Sequence, residues 1–434
     1  MSAGSNCLFE RPEIGERVIL VHLVFRSAKD NQNLNEFRDL VRSVGAEIAT
    51  VTTVRRDTPD AKLLIGTGKA EELGKLAGLL NADVLIFNCS LTPSQERNLE
   101  KICKRRVLDR TGLILDIFSQ RARSYEGKLQ VELAQLKYLS TRLVRGWSHL
   151  ERQKGGIGLR GPGEKQLESD RRQLRLRIKQ ISGRLEKLRI QRNQGRAARR
   201  KTTTPTVALV GYTNAGKSTL FNRLTDANVY SADKLFATLD PTLRRMPLSS
   251  RQHVVLADTV GFIQDLPHDL IEAFHATLQE TMEADLLLHI VDAADENRSS
   301  HILEVESVLR QIGALDIPQI MVYNKTDRLN MLPNIQLNQH GRIQQVWVSA
   351  KQDQGLDLLA QALRQYFDIK SECIWLRLPP SAGNIRSELY AEDRVMQEFV
   401  DDNGYWQIEA EVPVQRVGDF AQYRITMQSE QLAG

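Results

Sequence analysis

Thr206-Val-Ala-Leu-Val-Gly-Tyr-Thr-Asn-Ala-Gly-Lys-Ser-Thr219 decides the fold. Val207 to Val210 read as a buried strand, Gly211 to Ser218 as a glycine-rich turn, and Thr219 to Leu224 as a helix. Strand, glycine loop and helix start in that order describe an α/β sheet built to hold phosphate. Gly211 and Gly216 remove side chains where backbone must wrap a phosphate chain, and the N–H groups of Tyr212, Thr213, Asn214 and Ala215 converge at a helix N-terminus. Lys217 adds a mobile positive charge between β and γ oxygens. Ser218 offers a neutral hydroxyl to an octahedral Mg²⁺.

Four further segments follow in register. Phe236-Ala237-Thr238-Leu239-Asp240 supplies Thr238 as a second hydroxyl ligand, which reaches the metal only while the γ-phosphate holds its loop. Asp258-Thr259-Val260-Gly261 follows the apolar strand His253 to Ala257. Its aspartate belongs behind the metal's water, and the Gly261 N–H belongs on the γ-phosphate. Asn324-Lys325-Thr326-Asp327 follows the strand Gln319 to Tyr323, and the Asp327 carboxylate matches N1–H and N2–H₂ of guanine. Adenine would leave that carboxylate unpaired, a mismatch of ~5 kcal/mol or more. Ser349-Ala350-Lys351, after the strand Gln345 to Val348, provides an N–H for guanine O6. The five segments together imply binding of GTP and GDP and hydrolysis of GTP, with Lys217, Thr238 and Gly261 as catalytic groups.

In many switch GTPases a glutamine after Asp-x-x-Gly orients the attacking water; here that residue is Phe262. An apolar ring cannot polarise water, so the expectation is slow hydrolysis alone. Gln264 stands two residues further on and would project differently. Asn214 admits two readings, a K⁺ ligand that does the electrostatic work of an arginine finger, or a residue that merely closes the loop.

The chain has 434 residues and is 41% hydrophobic, enough for several cores. Its apolar runs fall short of the ~20 residues that cross a bilayer. Acids at Glu10, Glu13 and Glu16 and the lack of an apolar signal core lead us to expect a cytoplasmic protein. Cys7, Cys89, Cys103 and Cys373 form neither a disulfide pattern nor a metal pair. Net charge is +5, yet Arg142 to Lys201 holds 19 Lys and Arg against 5 Asp and Glu. That +14 leaves −9 for the remainder, so one segment carries the cationic field.

Running into it, Leu129, Leu133, Leu136, Ser140, Leu143, Trp147 and Leu150 alternate at spacings of four and three. So do Leu174, Ile178, Ile181, Leu185 and Leu188, with Leu167 one heptad earlier. A seam this narrow predicts an antiparallel helical pair. Gly155 to Gly163, glycine-rich throughout, reads as a non-helical tip between them. Arg152, Lys154, Arg160 and Lys165 flank or occupy the tip, and Arg171, Arg172 and Arg175 lie outside the seam, the residues expected to bind RNA. No aromatics interleave these charges, which favours phosphate contacts on folded RNA over stacking on single strands. The pair satisfies its own seam, which favours a monomer.

Residues 1–125 alternate strand-like and helix-like stretches as an open α/β domain. Residues 126–201 are the hairpin, with its tip at 155–163; residues 202–369 are the P-loop GTPase domain; residues 370–434 are a small α+β domain with a hairpin at Asp402-Asn403-Gly404. Gly66-Thr-Gly-Lys69 looks phosphate-loop-like but has Ala70 in the place of a metal-binding hydroxyl, and reads mainly as a plain turn into a helix.

The whole chain resembles the HflX family of translation GTPases. Leu64-Ile-Gly-Thr-Gly-Lys69, the Gly155 to Gly163 loop with Glu164-Lys-Gln-Leu-Glu168, Leu235-Phe-Ala-Thr-Leu-Asp-Pro-Thr242 and Asp258-Thr-Val-Gly-Phe262 carry the resemblance. It implies a partner, the large ribosomal subunit and its rRNA, bound in the GTP form with the tip near the peptidyl-transferase region. It also implies splitting of stalled or idle ribosomes, notably after heat stress. Family members are further credited with ATP binding in the N-terminal domain and with peripheral membrane association. The competing reading is a nucleotide-driven RNA-remodelling or tRNA-modifying enzyme. No cysteine nucleophile or metal cluster supports it.

Overall fold

The computed structural model describes residues 15–25, 34–146, 162–201, 204–225, 235–236, 238–248, 252–263, 275–339, 341–367, 371–391 and 394–425. Arg152, Lys154, Arg160, Trp147, Leu150, Ala237 and Gln264 fall outside them, as do the side chains of Leu143, Lys165 and Leu167.

The N-terminal sheet is parallel, in the order β2 (Glu47–Arg56), β1 (Arg17–Phe25), β3 (Val84–Phe87), β4 (Arg106–Leu108). Alternation along β1 explains its two-sided burial. Val18 and Leu20 meet the helices Leu34–Ser43 and Arg110–Arg121, whereas Ile19 and Val21 meet Thr67–Leu79 and Pro93–Cys103. The helix Arg110–Arg121 begins where the Asp109 carboxylate accepts the Gly112 N–H at 2.8 Å. Gly66-Thr-Gly-Lys69 is a helix start in which the Arg56 guanidinium fills the space beside Gly66 and Lys69 pairs with Glu72 at 2.6 Å.

Two long helices follow, Tyr125–Gly146 and Pro162–Lys201. Leu129, Leu133, Leu136, Leu174 and Ile181 are buried between them with Ile178, Leu185 and Leu188 alongside, the seam the spacing predicts. The second helix starts earlier than the glycine content suggests, at Pro162. Proline at the first helical position has no N–H to leave unsatisfied and a φ already suited to the helix. The first helix is apolar on two sides: Val131, Ala134 and Tyr138 pack on the N-terminal core. Arg142 locks it there, bonding Glu96 at 2.8 Å and Asp109 at 2.9 Å while lying 3.4 Å over the Tyr138 ring.

The second sheet has seven strands: β5 (Thr206–Gly211), β6 (Thr242–Pro247), β7 (His253–Asp258), β8 (Leu286–Asp292), β9 (Gln319–Asn324), β10 (Asn334–Leu337) and β11 (Ile343–Trp347). Their order is β10-β11-β9-β8-β5-β7-β6, parallel except for the two edges. The strand β5 therefore lies between β7 and β8, and the loops at its carboxyl end face the crevice where such sheets bind ligands. The C-terminal sheet is antiparallel, β13 (Val395–Val400), β14 (Trp406–Pro413), β12 (Ser371–Leu378), β15 (Arg424–Ile425), with the helix Gly383–Ala391 and a positive φ of 77° at the hairpin glycine Gly404. Strand order and helix placement are those of a split β-α-β fold. Among the described residues no helix is long and apolar enough to cross a membrane.

Candidate functional site: a nucleotide cleft

A cleft of about 320 Å³ opens at the carboxyl end of β5. Thr213, Asn214, Gly216, Lys217, Ser218, Phe236, Thr238, Thr259, Gly261, Asn324, Lys325, Asp327, Ala350 and Lys351 line it, together with Thr219 and Arg328. The last two were not singled out in the sequence; their adjacency to Ser218 and Asp327 was the available signal.

At the phosphate end, Gly216 has φ 92°, and a Cβ there would overlap Asn324 Nδ2. Only glycine meets both demands. The Lys217 ammonium donates to the carbonyls of Gly211 at 3.0 Å and Tyr212 at 2.8 Å, which holds it over the loop it must neutralise. Burial pushes its pKa down to about 8. A phosphate chain would raise it again by direct charge attraction.

Three hard oxygens converge beside it. Ser218 Oγ lies 2.7 Å from Thr238 Oγ1 and 2.7 Å from Asp258 Oδ2, and Thr238 Oγ1 lies 2.9 Å from the same carboxylate oxygen. Asp258 is wholly buried and its Oδ1 has no hydrogen-bond partner. Desolvation raises its carboxyl pKa, an arrangement that calls for a cation. This oxygen set fits Mg²⁺, the metal that P-loop GTPases generally use, and Ser218, Thr238 and Asp258 are the residues that would hold it.

At the base end, Asn324 ties two loops together. Its Nδ2 donates to the Ala215 carbonyl at 3.0 Å and its Oδ1 accepts the Ala350 N–H at 3.0 Å. Lys325, with φ 65°, reaches the Asn214 carbonyl at 2.6 Å and Asp292 at 2.7 Å. Asp327 Oδ1 accepts from Ser349 Oγ at 2.6 Å, which fixes the carboxylate beside the cleft.

Several expected contacts lie elsewhere. Leu239 and Val260 are core residues, Thr326 and Ser349 are buried behind the cleft wall, and Ala215 is buried with its carbonyl on Asn324. The Tyr212 side chain does not line the cleft: its hydroxyl donates to Glu36 and its ring is stacked on His301 at 3.8 Å and 7°. The Asp240 carboxylate is held by Arg123 and Ser124 instead of facing the cleft. Phe262 is 2% exposed, packed in the core, so its ring is no substitute for a water-orienting glutamine.

The chain is 53% identical to the GTPase HflX of Escherichia coli strain K12 over 408 residues, 94% of this chain and 96% of that one. It belongs to the HflX family of GTPases. The HflX GTPase of Caldanaerobacter subterraneus is 45% identical, covering 94% of this chain and 93% of its own. Family models described as GTP-binding GTPase N-terminal, GTP-binding GTPase middle region and 50S ribosome-binding GTPase match residues 31–119, 121–199 and 206–325. A crystal structure of SsGBP with GDP is 24% identical, covers 81% of this chain and 98% of its own, and superposes with a TM-score of 0.47. As an HflX GTPase the chain binds GTP and hydrolyses it to GDP and phosphate.

Proposed function

We propose that this GTPase is a translation factor that binds the large ribosomal subunit in its GTP form and dissociates stalled or idle ribosomes, notably under heat stress. One observation carries the reading: the cationic helix Pro162–Lys201 ends just before β5, so the segment with net charge +14 is built directly onto the nucleotide sheet. At ~1.5 Å per residue its 40 residues extend about 60 Å, long enough to reach into a ribosomal crevice that a globular domain cannot enter. Arg172 and Arg175 are exposed and Arg171 half-buried on this helix. A one-signed field of this density is suited to the phosphates of folded rRNA. A family model described as 50S ribosome-binding GTPase supports the same partner. Arg152, Lys154, Arg160 and Lys165 are the tip contacts in this reading, the protein acts as a monomer, and its place is the cytoplasm, on ribosomes.

With Phe262 buried, water activation is left to other groups: K⁺ held at Asn214, which lines the cleft with φ 60°, and the ribosome itself. The test is the GTPase rate with and without purified large subunits, followed by sedimentation of intact ribosomes. Stimulation together with loss of intact ribosomes supports the reading. Equal rates and undisturbed ribosomes would remove it.

A further inference from the structure

The loop that carries Thr238 rests on more than the nucleotide cleft. On one side of Thr238 the Phe236 ring, at φ 55°, packs edge-on against Phe118 of the N-terminal domain at 4.6 Å and 72°. On the other side, Asp240 reaches the start of the first hairpin helix, Tyr125–Gly146. Its Oδ2 accepts the N–H groups of Arg123 at 2.9 Å and Ser124 at 2.8 Å, and its Oδ1 accepts the Ser124 hydroxyl. Ser124 Oγ in turn accepts the Gly127 N–H at 2.8 Å, the contact of a helix N-cap. A Cβ on Gly127 would overlap Asp240 Oδ1, so the missing side chain is what lets the carboxylate in.

Helix N-termini leave backbone donors without intrahelical partners, and one serine oxygen cannot serve them all. Asp240, 116 residues further along the chain, serves the Ser124 N–H at the cap and the Arg123 N–H just before it, and puts a negative charge at the positive end of the helix dipole. The capped helix is one limb of the cationic pair.

We propose that Asp240 is a positioning residue that couples the nucleotide state to the helical hairpin. While Thr238 is engaged at the nucleotide, Asp240 completes the cap of helix Tyr125–Gly146; when Thr238 lets go, the cap opens. The inference rests on the reading of Thr238 as the residue that senses the γ-phosphate. Coupling of this kind is reciprocal: whatever weakens the cap weakens the GTP form relative to the GDP form. Asp240 does not line the cleft, so GDP affinity is its internal control.

The experiment uses the full chain and three variants, Asp240→Ala, Ser124→Ala and Gly127→Ala. Affinities for GDP and for a non-hydrolysable GTP analogue are measured, with hydrogen exchange of the amides of residues 123–128 in each state. Gly127→Ala is the discriminating change, because alanine improves helix propensity and a purely local role predicts no loss. Eviction of Asp240 predicts a loss instead. The expected result is that the wild-type amides exchange more slowly with the analogue than with GDP. In Asp240→Ala and Gly127→Ala that difference disappears, and analogue affinity falls about fivefold, the size of a typical lost cap, while GDP affinity holds. Normal GDP binding with an unchanged analogue-to-GDP ratio and unchanged exchange in these two variants overturns the proposal alone. Failure of the wild-type chain to bind guanine nucleotide would overturn the nucleotide reading, and this proposal with it.

Discussion

Gly216→Ala places a methyl group where the phosphate loop meets the guanine loop, and its cost follows from two independent features. The backbone at Gly216 has φ 92°, outside the range an L-residue occupies without strain. Holding alanine in left-handed backbone costs roughly 1–2 kcal/mol. The new Cβ would also displace Asn324 Nδ2, which donates to the Ala215 carbonyl at 3.0 Å while Asn324 Oδ1 holds the Ala350 N–H. Asn324 is 2% exposed, and leaving its buried amide or the carbonyl unsatisfied costs about 1–3 kcal/mol more. The sum, about 2–5 kcal/mol, corresponds to a roughly 30- to 4,000-fold loss if it falls wholly on nucleotide binding. Titration with a fluorescent GDP measures the loss, and a thermal melt of the nucleotide-free chain reports any share that falls on folding. Gly68→Ala is the matched control. It lies in a helix with open space around its Cα, and alanine there stabilises by about 0.5–1 kcal/mol. A Gly216→Ala protein that binds GDP within threefold of wild type and melts at the same temperature would refute the reasoning.

If Asp327 accepts two guanine N–H groups, Asp327→Asn replaces that acceptor with an amide that offers a donor. Guanine nucleotides should bind at least a hundredfold more weakly while xanthine nucleotides gain, as read by competition titration. Burial pushes the Glu96 pKa up to about 7 from its usual 4.5. The native chain therefore keeps a proton that the unfolded chain releases between those values, so this group's contribution to stability is present below about pH 4.5 and is lost as pH rises through about 7. Glu96→Gln should flatten that part of the stability profile in urea unfolding across pH 4 to 8. Replacing K⁺ by Na⁺ should slow GTP turnover severalfold if Asn214 helps hold the cation, and Asn214→Ala should remove the difference between the two salts.

The segments around the cleft were legible because each brings residues adjacent in sequence to one place, where glycine, lysine and aspartate stand at fixed spacings. The seam of the helical pair was legible for a related reason: Leu129, Leu133 and Leu136 repeat with the period of the helix that carries them. What stayed hidden joins distant parts of the chain. Arg142 meets Glu96 and Asp109 across 46 and 33 residues, and Tyr212 meets Glu36 across 176. Asp240 sat inside a nucleotide motif, and no local pattern distinguishes a carboxylate that caps a remote helix from one that faces a ligand. The helix Arg110–Arg121 escaped because Leu113, Ile114, Leu115, Ile117 and Phe118 are buried nearly all round, which blurs the helical period. The edge strand β10 is mostly exposed and short, with little apolar pattern to read.

The coupling of the nucleotide cleft to the cationic helical pair is tested most directly by co-sedimentation of the full chain with purified large ribosomal subunits in the nucleotide-free, GDP and non-hydrolysable GTP-analogue states. Tight binding with the analogue and at least tenfold weaker binding in the other two states is the predicted result. Equal affinity in all three states would contradict it.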